Sequence, residues 1–259
     1  MKIVSWNVNG IRACLNKGAF QAFMDQHQPD FLGIQETKLH DSSLVEDWVN
    51  QNGYQSVWNG ADKKGYSGVA FVTKLKPDEV LIGMESPQFD CEGRIISARF
   101  GSILIHTVYF PNGQQSPERL HFKLAFYDAF FQYCDEWRSN GVSSIIIGDF
   151  NTAHHPIDLA RPTENETVSG FLPIEREWLT QLEHRHYIDT FRLHHPNQAH
   201  QYSWWTYRAG ARQRNVGWRI DYVWVDQSLT SCVTDAFILP DVMGSDHCPV
   251  GIQFLHEPH

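Results

Sequence analysis

The sequence has no long apolar run, no paired cysteine motif and no leader-like beginning. No apolar stretch approaches the roughly 18 residues that a membrane-spanning helix needs, so we expect no membrane partner. Met1 leads directly into the alternating run KIVSWNV, which indicates a cytoplasmic protein. The five cysteines form no Cys-x-x-Cys pair, so we predict reduced packing residues and neither a disulfide framework nor a zinc ribbon.

Positive charge is also scarce, because 21 Lys and Arg residues face 30 Asp and Glu residues and the formal net charge is −9. This balance argues against a protein that coats nucleic acid non-specifically, since such affinity comes mainly from neutralised phosphates. A local exception is the window 201–220, where arginines alternate with aromatic side chains and no acidic residue occurs. The window favours a nucleic-acid groove, although a solvated loop beside core aromatics would have the same composition. Its members are Tyr202, Trp204, Trp205, Tyr207, Arg208, Arg212, Arg214, Trp218 and Arg219.

The order of apolar runs predicts a mixed α/β protein, with one domain over residues 1–259. At 259 residues and 42% hydrophobic content, the chain can bury a large core. Alternating or short apolar runs predict strands at 2–7, 31–35, 54–58, 68–73, 94–100, 103–109, 144–148, 219–225, 232–239 and 249–255. Helices are predicted at 18–27, 42–50 and 174–186, and the polar run 154–170 is the candidate for a long functional loop. We therefore expect sheets packed together and covered by helices.

One further helix has a clear beginning. Ser116 is its predicted N-cap, and Pro117 occupies the first helical position, where a missing N–H costs nothing. Apolar side chains then recur at spacings of three and four, as on the buried face of an amphipathic helix. The predicted face comprises Leu120, Leu124, Tyr127, Phe131 and Cys134.

Polar side chains of catalytic type recur where the predicted strands end. Strand ends are where α/β proteins build sites, since a rigid sheet holds the groups while the loops stay open to ligand. Asp221 instead lies inside the apolar run WRIDYVWV, and we predict His247 as its partner because an unpaired buried charge is costly. The strand-end residues are Asn7, Asn9, Glu36, Tyr109, Asp149 and Asn151, with Ser245, Asp246 and His247 before the last strand.

These side chains are carboxylates and amides, without the thiolates of a soft-metal site. Glu36, with Asp246 or the nearby asparagines, would suit a hard cation bound through oxygen, which favours magnesium over zinc. Any one of these residues, taken singly, has an alternative explanation as a strand-end cap or turn former. The pairs His154-His155 and His194-His195 have no carboxylate or cysteine at metal-ligand spacing and are predicted to be solvated loop residues.

Eight sequence strings, spread over almost the whole chain, together resemble a known family. The chain resembles the exonuclease III family of abasic-site endonucleases, within the DNase I-like endonuclease/exonuclease/phosphatase superfamily. This resemblance implies an α/β (α+β) fold, a four-layer α/β/β/α sandwich in which two mainly antiparallel sheets are flanked by helices. The strings are SWNVNGIRA (5–13), IQETK (34–38), KKGYSGVA (63–70), EGRII (92–96), YFPNG (109–113), GDFNTAH (148–154), NVGWRIDYVWV (215–225) and SDHCPV (245–250).

The resemblance implies a metal site and a reacting group. Glu36 resembles the principal magnesium ligand, and Mn²⁺ is expected to substitute for Mg²⁺. Asp149 matches the residue that orients or deprotonates the attacking water, and His247, oriented by Asp221, matches a phosphate-contacting histidine. Around the metal stand Asn7, Asn9 and Asp246, and Asn151 matches the amide that helps to hold the attacking water. Tyr109 and Asn112 match groups that reach the scissile phosphate.

The resemblance also implies a DNA-binding surface, and three positions depart from the family pattern. Gln115 stands where some members insert an arginine into DNA, Val168 replaces an amide near the flipped nucleotide, and Trp204 replaces a smaller aromatic. The implied backbone contacts are Arg12, Lys17, Tyr66 and Arg94, and the implied pocket for an extruded sugar is lined by Trp204, Trp218 and Ile220.

The activity implied is that of a monomeric, magnesium-dependent DNA phosphodiesterase of base excision repair. Water attacks in line and leaves a 3′-hydroxyl and a 5′-phosphate, 5′ of abasic sites or at 3′ ends. The expected partner is double-stranded DNA that contains abasic sites or blocked 3′ ends. Two alternatives stay open: the same fold acting on another phosphoester, such as an inositol phosphate or a sphingolipid, and a DNA-binding module without catalysis. The 202–219 window argues against the first, and the complete set of metal and nucleophile positions argues against the second.

Overall fold

The computed structural model describes residues 1–39 and 43–255, and two six-stranded sheets form its centre. The first sheet has the order β11-β12-β1-β2-β4-β3, with β1 and β2 parallel and the other pairs antiparallel. Its strands are β1 Lys2–Asn7, β2 Phe31–Gln35, β3 Gln55–Asn59, β4 Val69–Thr73, β11 Val233–Ile238 and β12 Val250–Phe254.

The second sheet repeats this plan, with the order β5-β6-β7-β8-β10-β9 and one parallel pair, β7 with β8. Its strands are β5 Glu79–Ile82, β6 Ile95–Phe100, β7 Ile103–Tyr109, β8 Ser143–Asp149, β9 Tyr187–Asp189 and β10 Asp221–Asp226. The helices are α1 Ile11–Asn16, α2 Ala19–His27, α3 Ser43–Gln51, α4 Pro87–Asp90, α5 Pro117–Ser139, α6 Pro162–Asn165, α7 Pro173–His184 and α8 Thr190–His194.

Three apolar cores hold four layers together. The central core lies between the sheets, where Phe31 and Phe71 of the first face Ile105 and Ile147 of the second. An outer core packs the first sheet against α2 and α3, and another packs the second sheet against α5 and α7. The expected α/β/β/α sandwich is therefore confirmed.

The strand β8 shows why the central strands are apolar almost without interruption. Ile145 and Ile147 point into the core between the sheets, whereas Ile146 points to the opposite face, toward α5. A strand buried on both faces needs apolar residues at odd and even positions alike. Close strand pairing also requires Gly148, because a Cβ atom there would lie 1.8 Å from the carbonyl oxygen of Val108.

The long helix α5 begins as predicted but buries a different stripe. The Ser116 hydroxyl accepts a hydrogen bond from the Arg119 amide at 3.3 Å, and Pro117 is the first helical residue. Leu120 and Leu124 are only half-buried, so their assignment to the buried face is wrong. The stripe that faces β8 keeps the predicted Tyr127, Phe131 and Cys134 and adds Lys123, Phe126 and Phe130.

Every predicted strand is present, with ends that shift by at most two residues. The sequence patterns missed β5 and β9 at the sheet edges and the short helices α1, α4, α6 and α8. These elements have three to six residues, which is too few for a periodic pattern. Position 42, where the helix predicted at 42–50 was placed to begin, lies outside the described residues.

All five cysteines are free thiols, as predicted, but Cys91 is exposed and does not serve as a packing residue. Among the residues that the structure describes, no helix is long and apolar enough to span a membrane. The expectation of one domain over residues 1–259 stays a prediction.

Candidate active site

One cleft collects the ends of strands from both sheets. Its volume is about 580 Å³, and its lining includes more than half of the residues singled out from the sequence. The parallel pairs β1-β2 and β7-β8 both end at the cleft, because the carboxyl ends of parallel strands meet at the same edge. The singled-out residues on its wall are Asn9, Glu36, Tyr109, Asn112, Asn151, Trp204, Trp218, Ile220, Asp246 and His247.

Asn7 joins the two sheets directly behind this wall. Its side chain is fully buried, and its Nδ2 donates to Glu36 Oε1 at 3.0 Å and to Asp149 Oδ2 at 2.9 Å. Its Oδ1 accepts the backbone N–H of Asn9 at 2.9 Å. One amide thus fixes the spacing between a carboxylate of the first sheet and one of the second.

Asp149 is held from a second side by the turn that follows β8. Its Oδ1 accepts the backbone N–H of Asn151 at 2.8 Å. The Asn151 side chain donates to the Phe110 carbonyl at 2.9 Å and accepts from Asn112 Nδ2 at 3.0 Å. The buried Asp149 carboxylate therefore has a fixed orientation before any ligand arrives.

His247 lies between two buried aspartates. Its Nδ1 is 2.8 Å from Asp221 Oδ2, which confirms the predicted partnership, and its Nε2 is 3.8 Å from Asp149 Oδ2. Trp204 forms isolated bridges to both His247 and Trp218, so these residues stand side by side on the cleft wall.

Asp246 links two parts of the cleft rim, the turn after β1 and the aromatic wall. Its Oδ1 accepts from Asn9 Nδ2 at 2.9 Å and its Oδ2 from Trp204 Nε1 at 3.2 Å. Lys38 completes this rim by donating to Asn9 Oδ1 and pairing with Glu36 Oε2 at 3.0 Å. The sequence reasoning missed Lys38, although it lies two residues after Glu36 in the string IQETK.

The backbone is strained at the same places. Asn9, Glu36, Lys38 and Asn151 all adopt φ values between 46° and 51°, in the left-handed region that few non-glycine residues occupy. Such conformations persist where the surroundings enforce them, and they cluster at functional sites.

The ionisation of the cleft groups follows from burial and close neighbours. Burial, then the charge of Asp221, raises the pKa of Asp149 to about 7. Burial alone would lower the pKa of His247, but the carboxylates of Asp221 and Asp149 raise it to about 10. Burial and the charge of Glu36 raise the pKa of Tyr109 well above its usual value. At neutral pH the site thus holds a charged imidazolium, a protonated phenol and a carboxylate that can gain or lose its proton.

The donor set fits a hard divalent cation. One carboxylate oxygen each of Glu36 and Asp149 and a ring nitrogen of His247 lie within 4.8 Å of one another, and no thiolate is among them. Because His247 is protonated at neutral pH, the carboxylates are the donors available to a cation. Burial opposes ionisation of Glu36, yet Lys38 and the Asn7 amide hold its pKa below the usual value, so it is available as a carboxylate ligand. The amide oxygens of Asn7 and Asn9 already accept N–H groups, and a direct metal contact from either stays a prediction.

The side chains that were predicted to contact DNA differ in how far they are exposed to solvent. Arg12, Lys17 and Gln115 are exposed, and Tyr66 is half-buried. Arg94 has only 2% of its surface exposed, so the exposed position that its predicted DNA contact requires is absent. Its guanidinium donates to Glu92, to the Tyr109 carbonyl and to the Tyr66 hydroxyl, and it packs 4.7 Å from the Tyr109 ring centroid.

The arginine and aromatic window 201–220 also contains both buried and exposed side chains. Arg219 is buried and paired with Asp158 at 2.8 Å and Asp189 at 2.7 Å, so its assignment to a phosphate-binding patch is wrong. Arg212 binds the carbonyl oxygens of Pro240, Val242 and Ser245, and Tyr202 and Trp205 belong to a small core. Exposed side chains remain at Tyr207, Arg208 and Arg214.

The run 154–170 is partly a wall of the cleft, as expected for a functional loop. Arg161, Glu164, Asn165, Val168, Ser169 and Gly170 line it. The prediction of solvated histidines is wrong for His154, which has 1% of its surface exposed, while His194 and His195 lie half-buried at the end of α8.

Several known proteins are similar to this chain in sequence and fold. The chain is 42% identical to an exodeoxyribonuclease of Bacillus subtilis (strain 168), over 96% of this chain and 98% of the relative. It is 39% identical to the DNA repair nuclease APEX1 of Danio rerio, over 96% and 81%. The 3′ phosphatase NExo from Neisseria, solved with a product DNA hairpin, matches with a TM-score of 0.91 and 28% identity over 99% and 100% of the two chains.

A further solved structure, the AP endonuclease LMAP of Leishmania major, matches with a TM-score of 0.88 and 31% identity, over 99% of this chain and 88% of that one. Residues 4–247 match the profile of the endonuclease/exonuclease/phosphatase family, and that range includes every catalytic and metal residue predicted from the sequence. The chain therefore belongs to the endonuclease/exonuclease/phosphatase family, in the branch of the exonuclease III-like nucleases that its motifs resemble.

Proposed function

We propose that this protein is a magnesium-dependent DNA repair nuclease that hydrolyses the phosphodiester 5′ of abasic sites and trims blocked 3′ ends. The observation that carries this function is the arrangement of His247, which lines an open cleft with an aromatic wall, with Asp149 and Asp221 buried directly behind it. The relatives named as an exodeoxyribonuclease, a DNA repair nuclease and a 3′ phosphatase support the same reaction class.

The reaction is an in-line attack of water on phosphorus. The water forms the new P–O bond as the bond to the 3′ oxygen breaks, which leaves a 3′-hydroxyl and a 5′-phosphate. Asp149 is the group that takes the water proton, because its raised pKa lies near working pH and Asn7 and Asn151 hold it in place. His247 is a poor base here, since it already carries a proton at neutral pH.

Negative charge accumulates on the nonbridging oxygens in the transition state. The imidazolium of His247 and the hydroxyl of Tyr109 both line the cleft and are protonated at neutral pH, so both can stabilise that charge. Glu36, assisted by Asp246, would hold Mg²⁺ at the same rim, and the ion would supply Lewis-acid stabilisation of the phosphate.

Substrate choice is assigned to the aromatic wall. Trp204 and Trp218 meet edge to face at 6.3 Å, and Ile220 lies beside them on the cleft surface. A nucleotide without its base costs less to extrude and fits where an intact base would collide. Val168, from the loop 154–170, also lines the cleft, and its side chain has no hydrogen-bonding group.

DNA binding must overcome a net charge of −9. The exposed cations Arg12, Lys17, Arg208 and Arg214 are candidates for contacts with phosphates, together with Arg161, which is exposed and lines the cleft. Action as a monomer and a cytoplasmic location stay predictions.

The test compares one enzyme preparation on three labelled substrates: an abasic duplex, a recessed 3′ end and a 3′-phosphate end. We expect cleavage of all three, complete loss in excess chelator, and recovery with Mg²⁺ or Mn²⁺. Full activity in excess chelator would exclude the metal-dependent reaction, and faster turnover of a soluble phosphoester than of abasic DNA would exclude DNA as the substrate.

A further inference from the structure

A second group of metal-type side chains lies outside the cleft. His154 and His155 come from the loop after β8, and Glu183 comes from the last turn of α7. One ligand atom from each residue lies within 4.8 Å of the other two. None of the three residues lines the cleft.

The hydrogen bonds of Thr180 fix the tautomer of His154. The Thr180 hydroxyl donates to the Arg176 carbonyl at 3.3 Å, so its single proton is committed. Its oxygen lies 3.0 Å from His154 Nε2, and a hydroxyl that donates to the Arg176 carbonyl accepts from this nitrogen, an arrangement that favours the imidazole proton on Nε2. His154 Nδ1 is left with a free lone pair.

That lone pair faces a carboxylate. His154 Nδ1 lies 4.0 Å from Glu183 Oε1, and burial lowers the pKa of His154 to about 3, so no imidazole proton stands between the two atoms. Among the described residues, none donates a hydrogen bond to the Glu183 carboxylate. Two electron-rich atoms therefore face each other, and a cation between them would satisfy both.

We propose that His154, His155 and Glu183 bind a divalent transition-metal ion of the zinc type, with water in the remaining position. Two imidazole nitrogens and one carboxylate form a borderline-soft donor set, which selects Zn²⁺, Co²⁺ or Ni²⁺ over Mg²⁺. The Nε2–H of His154 donates to an oxygen behind it, and this is how metal-bound histidines are oriented in proteins.

One of the three proposed ligands, His154, is held in place, and the other two have side chains that can move. His154 is fixed through its backbone, since its N–H donates to the Tyr222 hydroxyl at 3.1 Å and its carbonyl accepts from Arg176 Nε at 2.8 Å. Tetrahedral zinc sets its ligands about 3.4 Å apart, given metal–ligand bonds of about 2.1 Å. His155 and Glu183 are both partly exposed, so their side chains can close that gap.

Two arginines, Arg219 and Arg176, lie close enough to His154 to lower its pKa, and each has other partners. Arg219 is neutralised by Asp158 and Asp189, and Arg176 is engaged by the His154 carbonyl and the Phe171 ring. An ion at this site would join the loop after β8 to α7. It would thus brace the segment that also carries Asn151.

The test is a titration of the full-length protein with Co²⁺, followed by visible absorption, and then displacement by Zn²⁺, all in excess Mg²⁺. We expect one tightly bound equivalent in the wild type and a tenfold or greater loss of affinity in both His155→Ala and Glu183→Gln. His121→Ala, on the exposed side of α5, is the matched control and should bind as the wild type does. Glu36→Gln, which alters the cleft, should also keep the Co²⁺ site.

Thermal unfolding gives a second readout. Zn²⁺ should raise the Tm of the wild type and of His121→Ala and leave the Tm of His155→Ala unchanged, because ligand binding stabilises only a folded site. Co²⁺ affinity that is unchanged in both His155→Ala and Glu183→Gln would overturn the proposal. So would loss of Co²⁺ binding in Glu36→Gln, which would assign the ion to the cleft.

Discussion

Asp149 and Asp221 are direct cross-strand partners on the antiparallel strands β8 and β10, so two buried carboxylates stand side by side. Like charges in that arrangement repel each other, and an imidazolium between them removes the conflict. His247 provides it, with one ring nitrogen on each aspartate. The pair and the histidine therefore act as one electrostatic unit, and a change to one member changes the others.

Asp221→Asn should lower kcat on an abasic duplex by about 10²-fold, the usual cost of losing one charge-stabilising group. The amide cannot hold His247 in its charged form, while the Asp221 side chain itself is buried and should not alter DNA affinity. Steady-state rates should show a fall in kcat with little change in KM. Asp226→Asn, on the same strand but paired with Arg138, is the control and should cleave normally. Equal rates for the wild type and Asp221→Asn would contradict the role of the aspartate.

Asp149→Asn should remove most turnover, by about 10² to 10⁴-fold, because it deletes the proton acceptor for the attacking water. DNA affinity should stay within a few-fold, since Asp149 is buried behind the cleft wall. Gel-shift titrations and single-turnover rates on the same abasic duplex separate the two effects. A parallel collapse of binding and rate would mean that Asp149 is structural.

Trp204→Ala should erode the preference for abasic over undamaged DNA. The indole forms the wall beside Trp218 and is held by Asp246, so its removal opens space for an intact base. We expect the wild type to cleave abasic duplex orders of magnitude faster than undamaged duplex, and the variant to gain activity mainly on intact nucleotides and 3′ termini. Paired initial rates on both duplexes measure the ratio. Trp137→Ala, on α5 outside the cleft, is the control and should keep the wild-type ratio. An unchanged ratio for Trp204→Ala would mean that the Trp204 indole is a core residue and does not select the substrate.

His106 should make the protein less stable in acid. It is fully buried between the Ser97 and Ser144 hydroxyls, and burial lowers its pKa to about 3. The unfolded chain binds a proton below about pH 6.5 and the folded chain does not, so stability is present above that pH and is lost as pH falls toward 3.

His106→Gln should therefore flatten the dependence of unfolding free energy on pH, by up to about 1.4 kcal/mol for each pH unit below 6.5. Urea unfolding between pH 4 and pH 7 gives the slopes. His121→Gln, at an exposed position, should keep the wild-type slope. An identical slope in His106→Gln and the wild type would show that His106 is protonated in the folded protein.

Lys123→Met should destabilise the fold by about 3–5 kcal/mol, because it leaves the buried Glu175 carboxylate without its cation. Lys123 Nζ lies 2.6 Å from Glu175 Oε1 and 2.8 Å from the Asn151 carbonyl, and neither side chain is exposed. The double variant Lys123→Met/Glu175→Gln should lose less than the sum of the single changes. Glu79→Gln, in the exposed pair with Arg99, should cost about 1 kcal/mol or less. Strict additivity in the Lys123 and Glu175 cycle would show that the two charges do not interact.

The site residues could be predicted because each one follows a strand that is buried on both faces. The apolar runs before Asn7, Glu36, Tyr109 and Asp149 mark where the sheets end, and sheet ends are where polar groups face a cleft. The pairing of Asp221 with His247 followed from the cost of an unpaired charge inside a strand. At the four strand ends the sequence neighbours carry the information, while the roles of these residues came from the resemblance of the eight strings.

The errors concern partners that lie far away along the chain. Arg94 was assigned to DNA although Glu92 stands beside it in the string EGRII, because its other two partners, the Tyr109 carbonyl and the Tyr66 hydroxyl, come from distant parts of the chain. Arg219 was assigned to DNA because Asp158 and Asp189, which pair with it, lie far from it in sequence. His154 was assigned to solvent for the same reason. Its carboxylate neighbour, Glu183, comes from another element, so spacing along the chain contains no trace of it.

The two ends of the chain meet in one sheet, where β12 pairs with β1 from Lys2 opposite Gln253 to Ser5 opposite Val250. The candidate site spans the same distance, since Asn7 and His247 come from opposite ends of the sequence. Every residue from Asn7 to His247 must therefore leave the ribosome before the cleft can be assembled. A growing chain that stops short of His247, or a proteolytic fragment without β1, lacks part of the predicted site, and we expect neither to cleave DNA.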